Sequence, residues 1–281
     1  MVSQMSKSPA GQIQQANMPQ YDSIGVKYDI VDGLPFKILE ARNAEAVLRP
    51  LLPSSDRILE FACGSGYYTE RLVSWGAKKL TCVDISSEML NLARLRMKDQ
   101  VASGQVRFVQ ADGSKVQSFA PDQSMAYHDT VFAGWLLNYA KTAEELEHMF
   151  RNIAANLRSG GYFVGVVYPH TDAAGLLHRQ SLYGKPPMDR IPPRNEWVES
   201  VPEQGWKLRI HFNADTVFDS WHLQGSIYDE AMRAAGFDVA NATWRQEPVE
   251  NEWKDRLNLT EEEWLTWKAC PQCVILKVQK L

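Results

Sequence analysis

The chain has no long apolar run, no basic block and few cysteines, and each of these gaps argues against a class of function. No apolar stretch approaches the ~18 residues needed to span a bilayer, so no membrane partner is expected. Residues 1–20, rich in Gln, Ser and Ala, lack the apolar centre of a secretory signal and read as a flexible leader. Lys and Arg never cluster, and the formal net charge is −4, which argues against nucleic acid or an anionic surface. Four cysteines in 281 residues make no disulfide framework, so a reducing, cytoplasmic setting is expected. Cys270-Pro-Gln-Cys273 has the spacing of a redox pair. It stands at the entry of a strand, however, without a second ligand pair, so neither a redox role nor a metal is expected.

Along residues 21–281, apolar strands alternate with amphipathic stretches and no internal repeat is visible, which suggests a single α/β domain with a mostly parallel sheet. Strands are expected at Arg57–Phe61, Lys79–Asp84, Val106–Gln110, Tyr127–Ala133 and Gly161–Tyr168, with later ones at Phe237–Trp244 and Cys273–Lys280. Helices are expected at Leu34–Leu48, Tyr68–Trp75, Ser86–Lys98 (capped by Ser86), Thr142–Asn156 and Ser226–Ala235. The block at about 169–225 breaks this rhythm with prolines, glycines and a hairpin-like pair, Lys207–Phe212 and Thr216–Trp221. A structureless loop of that length is unusual, so the block reads as a cap leaving the fifth strand at its carboxyl end, over a substrate. A second insertion, Gln246–Lys268, carries Trp253, Trp264 and Trp267 and is expected to help cover the site.

The chemistry concentrates where the first strand ends. Glu60-Phe-Ala-Cys-Gly-Ser-Gly66 is a carboxylate followed by a glycine turn, and eighteen residues after Gly66 a second carboxylate, Asp84, ends the next apolar run. A turn that brings backbone N–H groups to a ligand, with an acid about twenty residues on for ribose hydroxyls, describes a nucleoside site. No third glycine follows to fit a pyrophosphate, and no Gly-Lys-Ser/Thr cradle is present. A nucleoside without phosphates fits better, and S-adenosylmethionine (SAM) is the common one.

Ile58-Leu-Glu-Phe-Ala-Cys-Gly-Ser-Gly66, Val83-Asp-Ile-Ser86, Gln110-Ala-Asp-Gly113 and Leu157-Arg-Ser-Gly-Gly161 occur in order at suitable distances. Together they resemble the motif series of the class I SAM-dependent methyltransferases, over roughly residues 20–280. Tyr21-Asp-Ser-Ile-Gly-Val-Lys-Tyr28 and Ala234-Ala-Gly-Phe237 narrow the resemblance to the toxoflavin-synthase-like small-molecule group, and the whole chain is similar to the fungal gliotoxin-type bis-thiomethyltransferases. One departure is Ala62, where many class members carry glycine.

The resemblance implies a Rossmann-like fold: a seven-stranded sheet, mostly parallel, with an antiparallel last strand and a cap insertion. It implies that Glu60 and the backbone at Ala62 and Gly64 hold the amino-acid end of SAM. Asp84 would take the ribose hydroxyls, Ile85 and Met89 would pack on the adenine, and Asp112 beside Gly113 would take the adenine amino group. Phe132 and Ala133 would face the methionine portion, and Tyr28 would close over the sulfonium. Carboxylates accept from vicinal hydroxyls and an aromatic face favours a sulfonium, so the physics agrees with these roles.

Tyr21, Trp135, Tyr139 and His170 are expected to line the substrate pocket, with His170 a weak candidate base just beyond the fifth strand. No Asn/Asp-Pro-Pro-Tyr/Phe element follows the fourth strand and no Pro-Cys nucleophile is present, which disfavours methylation of DNA amines or of cytosine carbon. The expected substrate, implied by the resemblance, is a small dithiol secondary metabolite methylated on both sulfurs by a monomeric enzyme, in the manner of a detoxification step. A thiol is already a good nucleophile near neutral pH and needs no fixed protein base. The alternatives are O- or N-methylation of another metabolite and a SAM-binding regulatory protein without turnover.

Overall fold

Short strands covered on both faces build the main sheet, as their unbroken hydrophobicity requires. The computed structural model describes residues 29–281 apart from 215 and 247, so the expected leader, Tyr21 and Tyr28 lie outside the described residues. The strands are β1 (Arg57–Phe61), β2 (Lys79–Asp84), β3 (Val106–Gln110), β4 (His128–Gly134) and β5 (Leu157–Val167), with β9 (Thr243–Arg245) and β10 (Val274–Gln279) late in the chain. They lie in the order β3-β2-β1-β4-β5-β10-β9. The pairs β3-β2, β2-β1, β1-β4 and β4-β5 are parallel, while β10 runs antiparallel to both β5 and β9. The order reverses at β1, so β1 and its neighbours β2 and β4 open a crevice at their carboxyl ends, where ligands of such sheets bind.

Side-chain alternation divides the core into two. Leu59 and Phe61 of β1 join a cluster that holds Phe150 of helix α4 (Ala143–Asn156) and Tyr228 of α6 (Gly225–Ala234). Ile58 faces the other way, into a cluster with α1 (Pro35–Leu48) and α2 (Tyr67–Trp75). Phe150 has no exposure and meets Phe163, Phe237 and Tyr228 edge-on at 5.8–6.3 Å. Truncating it to alanine would cost about 3–5 kcal/mol by cavity formation. Helix starts follow side-chain caps: Ser86 accepts from the Met89 N–H at the head of α3 (Ser87–Arg96), and Thr142 accepts from the Glu145 N–H at the head of α4.

The block after β5 folds into helix α5 (Ala173–Leu182) and a separate antiparallel sheet of β6 (Arg194–Val201), β7 (Gly205–His211) and β8 (Val217–Leu223). Leu208, Ile210 and Phe218 of this sheet pack on Tyr168 at the carboxyl end of β5. Four local expectations are corrected. Strand β6 is additional, because charged Arg194, Glu196 and Glu199 hide its alternation. The segment 237–244 is interrupted by a 3₁₀ turn at Val239–Asn241, leaving Thr243–Arg245 as strand. The helix begun at Ser87 breaks at Met97, whose backbone (φ −108, ψ 26) leaves the helical region. The second insertion forms helix Glu252–Arg256 and α7 (Glu261–Ala269), and its three tryptophans pack with Leu39, Met188 and Ile191. It therefore braces α1 against the cap rather than covering the crevice.

Candidate active site

At the end of β1 the chain turns through Ala62, Gly64 and Gly66, all at positive φ (52°, 54° and 89°). A Cβ on Gly66 would stand 3.3 Å from Ala93 Cβ of α3, so glycine there permits both the left-handed backbone and the close approach. Ala62 adopts the same region at a cost of ~1–2 kcal/mol, which locates backbone strain at the crevice. The Gly64 N–H donates to Asp84 Oδ2 (2.8 Å), and the Ser86 N–H donates to Oδ1 (2.9 Å). Asp84 thus couples the glycine turn to the start of α3. A carboxylate has about four acceptor positions, which suits it to vicinal hydroxyls as well as to these amides.

Glu60 lies one residue from the strand tip with 1% exposure. Its Oε2 accepts from Thr69 Oγ1 (2.7 Å) in α2 and from Cys82 Sγ (3.4 Å) in β2. Burial pushes this carboxyl up to about 8, against the pull of those two donors. The side chain ties β1 to the helix after the turn, so these bonds are structural, beside a backbone that leads into the crevice.

A cleft of about 480 Å³ opens over these strand tips. Of the expected cofactor residues, Ala62, Asp84, Ile85, Asp112 and Gly113 line it, and so does Tyr139. Ile85 is 45% exposed there, an apolar surface suited to a flat ring. Burial pushes Asp112 up, but hydrogen bonds from the Ser114 hydroxyl and amide, and Lys115 beside it, outweigh this and hold the carboxyl below its ordinary range. A Cβ on Gly113 would meet Leu136 Cδ1 at 3.1 Å, so glycine keeps this wall open.

The cleft also uses residues the sequence did not single out: Leu136, Lys141, Met149, Asp219 and Trp221. Asp219 and Trp221 come from β8, so the cap helps to wall this cleft as well as the space beyond it. Asp219 is held in place by Lys207 (2.8 Å) and Arg209 (3.2 Å). Nothing in its local pattern connects residue 219 to the glycine turn; only the fold does.

Other expected residues do not reach the cleft or the second cavity described below. Met89 is 1% exposed, and its amide is used by the Ser86 cap. Phe132 is fully buried edge-on against Tyr68 (4.9 Å), and Ala133 belongs to the opposite core cluster. His170 stands apart from both cavities: its Nε2 lies 3.1 Å from Asp229 Oδ2 and its ring 4.7 Å from Trp244, facing α6 and β9.

A second, narrower cavity of about 40 Å³ adjoins the cleft at Tyr139. Trp135 and Tyr168 wall it from the sheet, Ile210, Phe212 and Phe218 from the cap, and Phe36 and Lys37 from α1. Trp135 is held at φ 67, a left-handed conformation unusual for so bulky a residue. Its indole Nε1 donates to Glu40 Oε2 (2.8 Å), and the Tyr68 hydroxyl donates to Glu40 Oε1 (2.6 Å), which also pairs with Lys37 Nζ (2.5 Å). Glu40 is 1% exposed and was not foreseen; it fixes the strained tryptophan that separates sheet from cavity.

Among the described residues no group of His, Cys, Asp and Glu is arranged to hold a metal, and no helix is long and apolar enough to cross a membrane. Cys63, Cys82, Cys270 and Cys273 are all buried and free.

Residues 58–161 match the methyltransferase domain family. Among curated proteins, the chain is 27% identical over 175 residues to a malonyl-[acyl-carrier protein] O-methyltransferase of Paenibacillus, covering 57% of this chain and 58% of the relative. It is 31% identical over 110 residues to a demethylmenaquinone methyltransferase of Leptospira interrogans, covering 39% and 41%. The chain thus spans about half the length of the curated relatives it matches. Solved structures share its fold: a SAM-dependent methyltransferase from Mesorhizobium loti (TM-score 0.54, 16% identity, 87% of this chain and 100% of the other), and the magnesium protoporphyrin IX methyltransferase of Synechocystis with bound S-adenosylhomocysteine (SAH) (TM-score 0.51, 15%, 88% and 85%). The cleft agrees with that cofactor: acids stand at the tip of β2 and beyond β3, a left-handed glycine turn follows the neighbouring β1, and an exposed apolar residue, Ile85, follows Asp84. Residues 58–161 therefore match a methyltransferase domain, set in a chain that shares the fold of solved SAM-dependent methyltransferases.

Proposed function

We propose that this chain methylates both thiols of a small dithiol metabolite, of the kind handled by the gliotoxin bis-thiomethyltransferases, releasing SAH after each transfer. SAM supplies a methyl group already activated by its sulfonium. In this reading Asp84 holds the ribose hydroxyls, Asp112 and the Gly113 backbone the adenine, and the turn at Ala62 and Gly64, stiffened by Glu60, the amino-acid end.

The supporting observation concerns the second cavity. Among its described lining residues there is no histidine and no carboxylate. Tyr168 cannot serve as a base, because burial raises its hydroxyl well above the ordinary range, and that hydroxyl is shared with Ser220 Oγ (3.1 Å). His222, stacked on Tyr168 at 4.5 Å, is kept neutral by burial, which lowers it to about 3, and its Nε2 faces the Pro169 carbonyl. A site that removes no proton suits an acceptor that ionises by itself, and a thiol does so. What the protein adds is alignment and exclusion of water, which can be worth ~7–11 kcal/mol. The free space is small, so the acceptor enters by displacing the aromatic walls contributed by the cap and α1.

The test is the pH dependence of turnover with labelled methyl-SAM. The rate should rise with the acceptor's own thiol ionisation and flatten above it, shifting as thiols of different pKa are compared. A profile fixed by the protein and indifferent to the acceptor's pKa overturns the reading. It would favour methylation of a hydroxyl or amine, the chemistry closer to the O-methyltransferase relative.

A further inference from the structure

Three carboxamides line the second cavity: Asn138 from the turn after β4, Asn195 from β6 of the cap, and Gln272 from the segment leading into β10. In each, the side-chain carbonyl oxygen (Asn138 Oδ1, Asn195 Oδ1, Gln272 Oε1) is buried and has no hydrogen-bond partner. The nitrogens of the first two are engaged on the far side. Asn138 Nδ2 donates to Ser220 Oγ (2.8 Å), and Asn195 Nδ2 donates to the Tyr183 hydroxyl (3.1 Å). Those bonds turn both amides so that their oxygens are the unsatisfied ends. Asn138 is 2% exposed and Asn195 9% exposed, so bulk water does not repair the deficit.

Buried polar groups are almost always paired, because leaving an acceptor unmade in an apolar surround costs free energy. Three such acceptors contributed by three distant segments to one aromatic cavity therefore point to something that binds there. All three ends accept and none of the three donates, so the missing partner must donate. A thiol is a weak donor and does not answer three carbonyl oxygens well.

We propose that Asn138, Asn195 and Gln272 form an accepting wall that selects an acceptor substrate carrying O–H or N–H donors, beside its reacting groups, on an otherwise apolar body. This rests on the reading of the second cavity as the acceptor site. The wall sets specificity: an analogue without the donors leaves the oxygens unpaired, a penalty that discriminates far better than a missing methylene.

The experiment uses two matched pairs with the full chain. With labelled methyl-SAM, kcat/KM is compared for dithiothreitol and 1,4-butanedithiol, which differ by two hydroxyls. With SAH-loaded protein, and so without turnover, ligand-observed NMR compares binding of catechol and 1,2-difluorobenzene. The hydroxylated member should be preferred by about tenfold or more in each pair. Gln272→Met, which keeps the shape, and Asn195→Leu should each shrink that preference by about threefold or more while leaving SAH binding and the thermal midpoint with SAH intact. Equal treatment of the members, or a preference that neither variant reduces, overturns the proposal. If neither dithiol is methylated yet the catechol preference falls in the variants, the wall stands and the thiol reading falls. If both dithiols are methylated equally well, the thiol reading stands and the wall falls.

Discussion

The Glu60 carboxyl gives the sharpest thermodynamic prediction. Buried at 1% exposure and shifted up to about 8 by desolvation, it stays protonated in the folded chain at pH values where the unfolded chain, near 4.5, has released the proton. Between those two values the folded state binds the extra proton, so stability falls as pH rises through the window. Two buried histidines act in the opposite sense. His128 is lowered to about 4 and His222 to about 3 by desolvation, so each removes stability as pH drops below 6.5. Just above 6.5 they still return a little stability, about 0.4 kcal/mol each as the unfolded imidazoles finish deprotonating, and the buried cysteine thiols, raised from 9, stay largely protonated in both states below pH 8. From pH 6.5 to 8 the Glu60 contribution should therefore dominate, worth about 2 kcal/mol at 1.36 kcal/mol per unit. Glu60→Gln keeps a carbonyl oxygen for Thr69 and Cys82 and removes only the charge. Urea unfolding of the ligand-free protein across that window should show wild-type stability declining by about 2 kcal/mol more than the variant's, with the variant the more stable at pH 8. Parallel curves would refute the claim that this carboxyl is protonated in the folded state.

Three further outcomes are expected. Asp84→Ala should weaken SAM binding by ~1–3 kcal/mol by calorimetry, because the ribose hydroxyls lose their acceptor; unchanged affinity would move the site elsewhere. Glu40→Ala takes the carboxylate from the buried Lys37 ammonium and from Trp135, and should cost about 3–5 kcal/mol in chemical unfolding, whereas a loss under about 1 kcal/mol would show that the network is dispensable. His170→Ala should change kcat by less than about tenfold, since the ring faces Asp229 and Trp244 outside both cavities; a loss of ~10²-fold would make it a base after all.

The elements that read best from the sequence were those whose signal is local. Strands β1, β2 and β3 coincide with their expected bounds because each is a short apolar run ended by turn residues. Asp84, Asp112 and Gly113 sit at strand tips, so strand boundaries alone place them at the crevice. Met89, Phe132 and His170 lie outside both cavities, because residue number fixes where an element ends but not which face a side chain takes. Phe132 turns into the α2 side of the core, and His170 turns toward α6. Glu40 and the three carboxamides were illegible for a different reason. A buried acid in an amphipathic helix looks like any solvated one, and Asn195 lies in a strand whose charged neighbours conceal it. Their meaning comes from contacts made by the fold, such as Glu40 with Trp135, 95 residues apart, which no local pattern encodes.

The central claim is transfer of two methyl groups from SAM to sulfur. It is tested most directly by incubating the chain with ¹³C-methyl-SAM and a reduced dithiol and reading the product by NMR and mass spectrometry. Two labelled methyl groups per acceptor, both with S-methyl chemical shifts, and two SAH released are expected. Label on oxygen, nitrogen or carbon, or intact SAM after prolonged incubation with a protein that binds it, would contradict the claim.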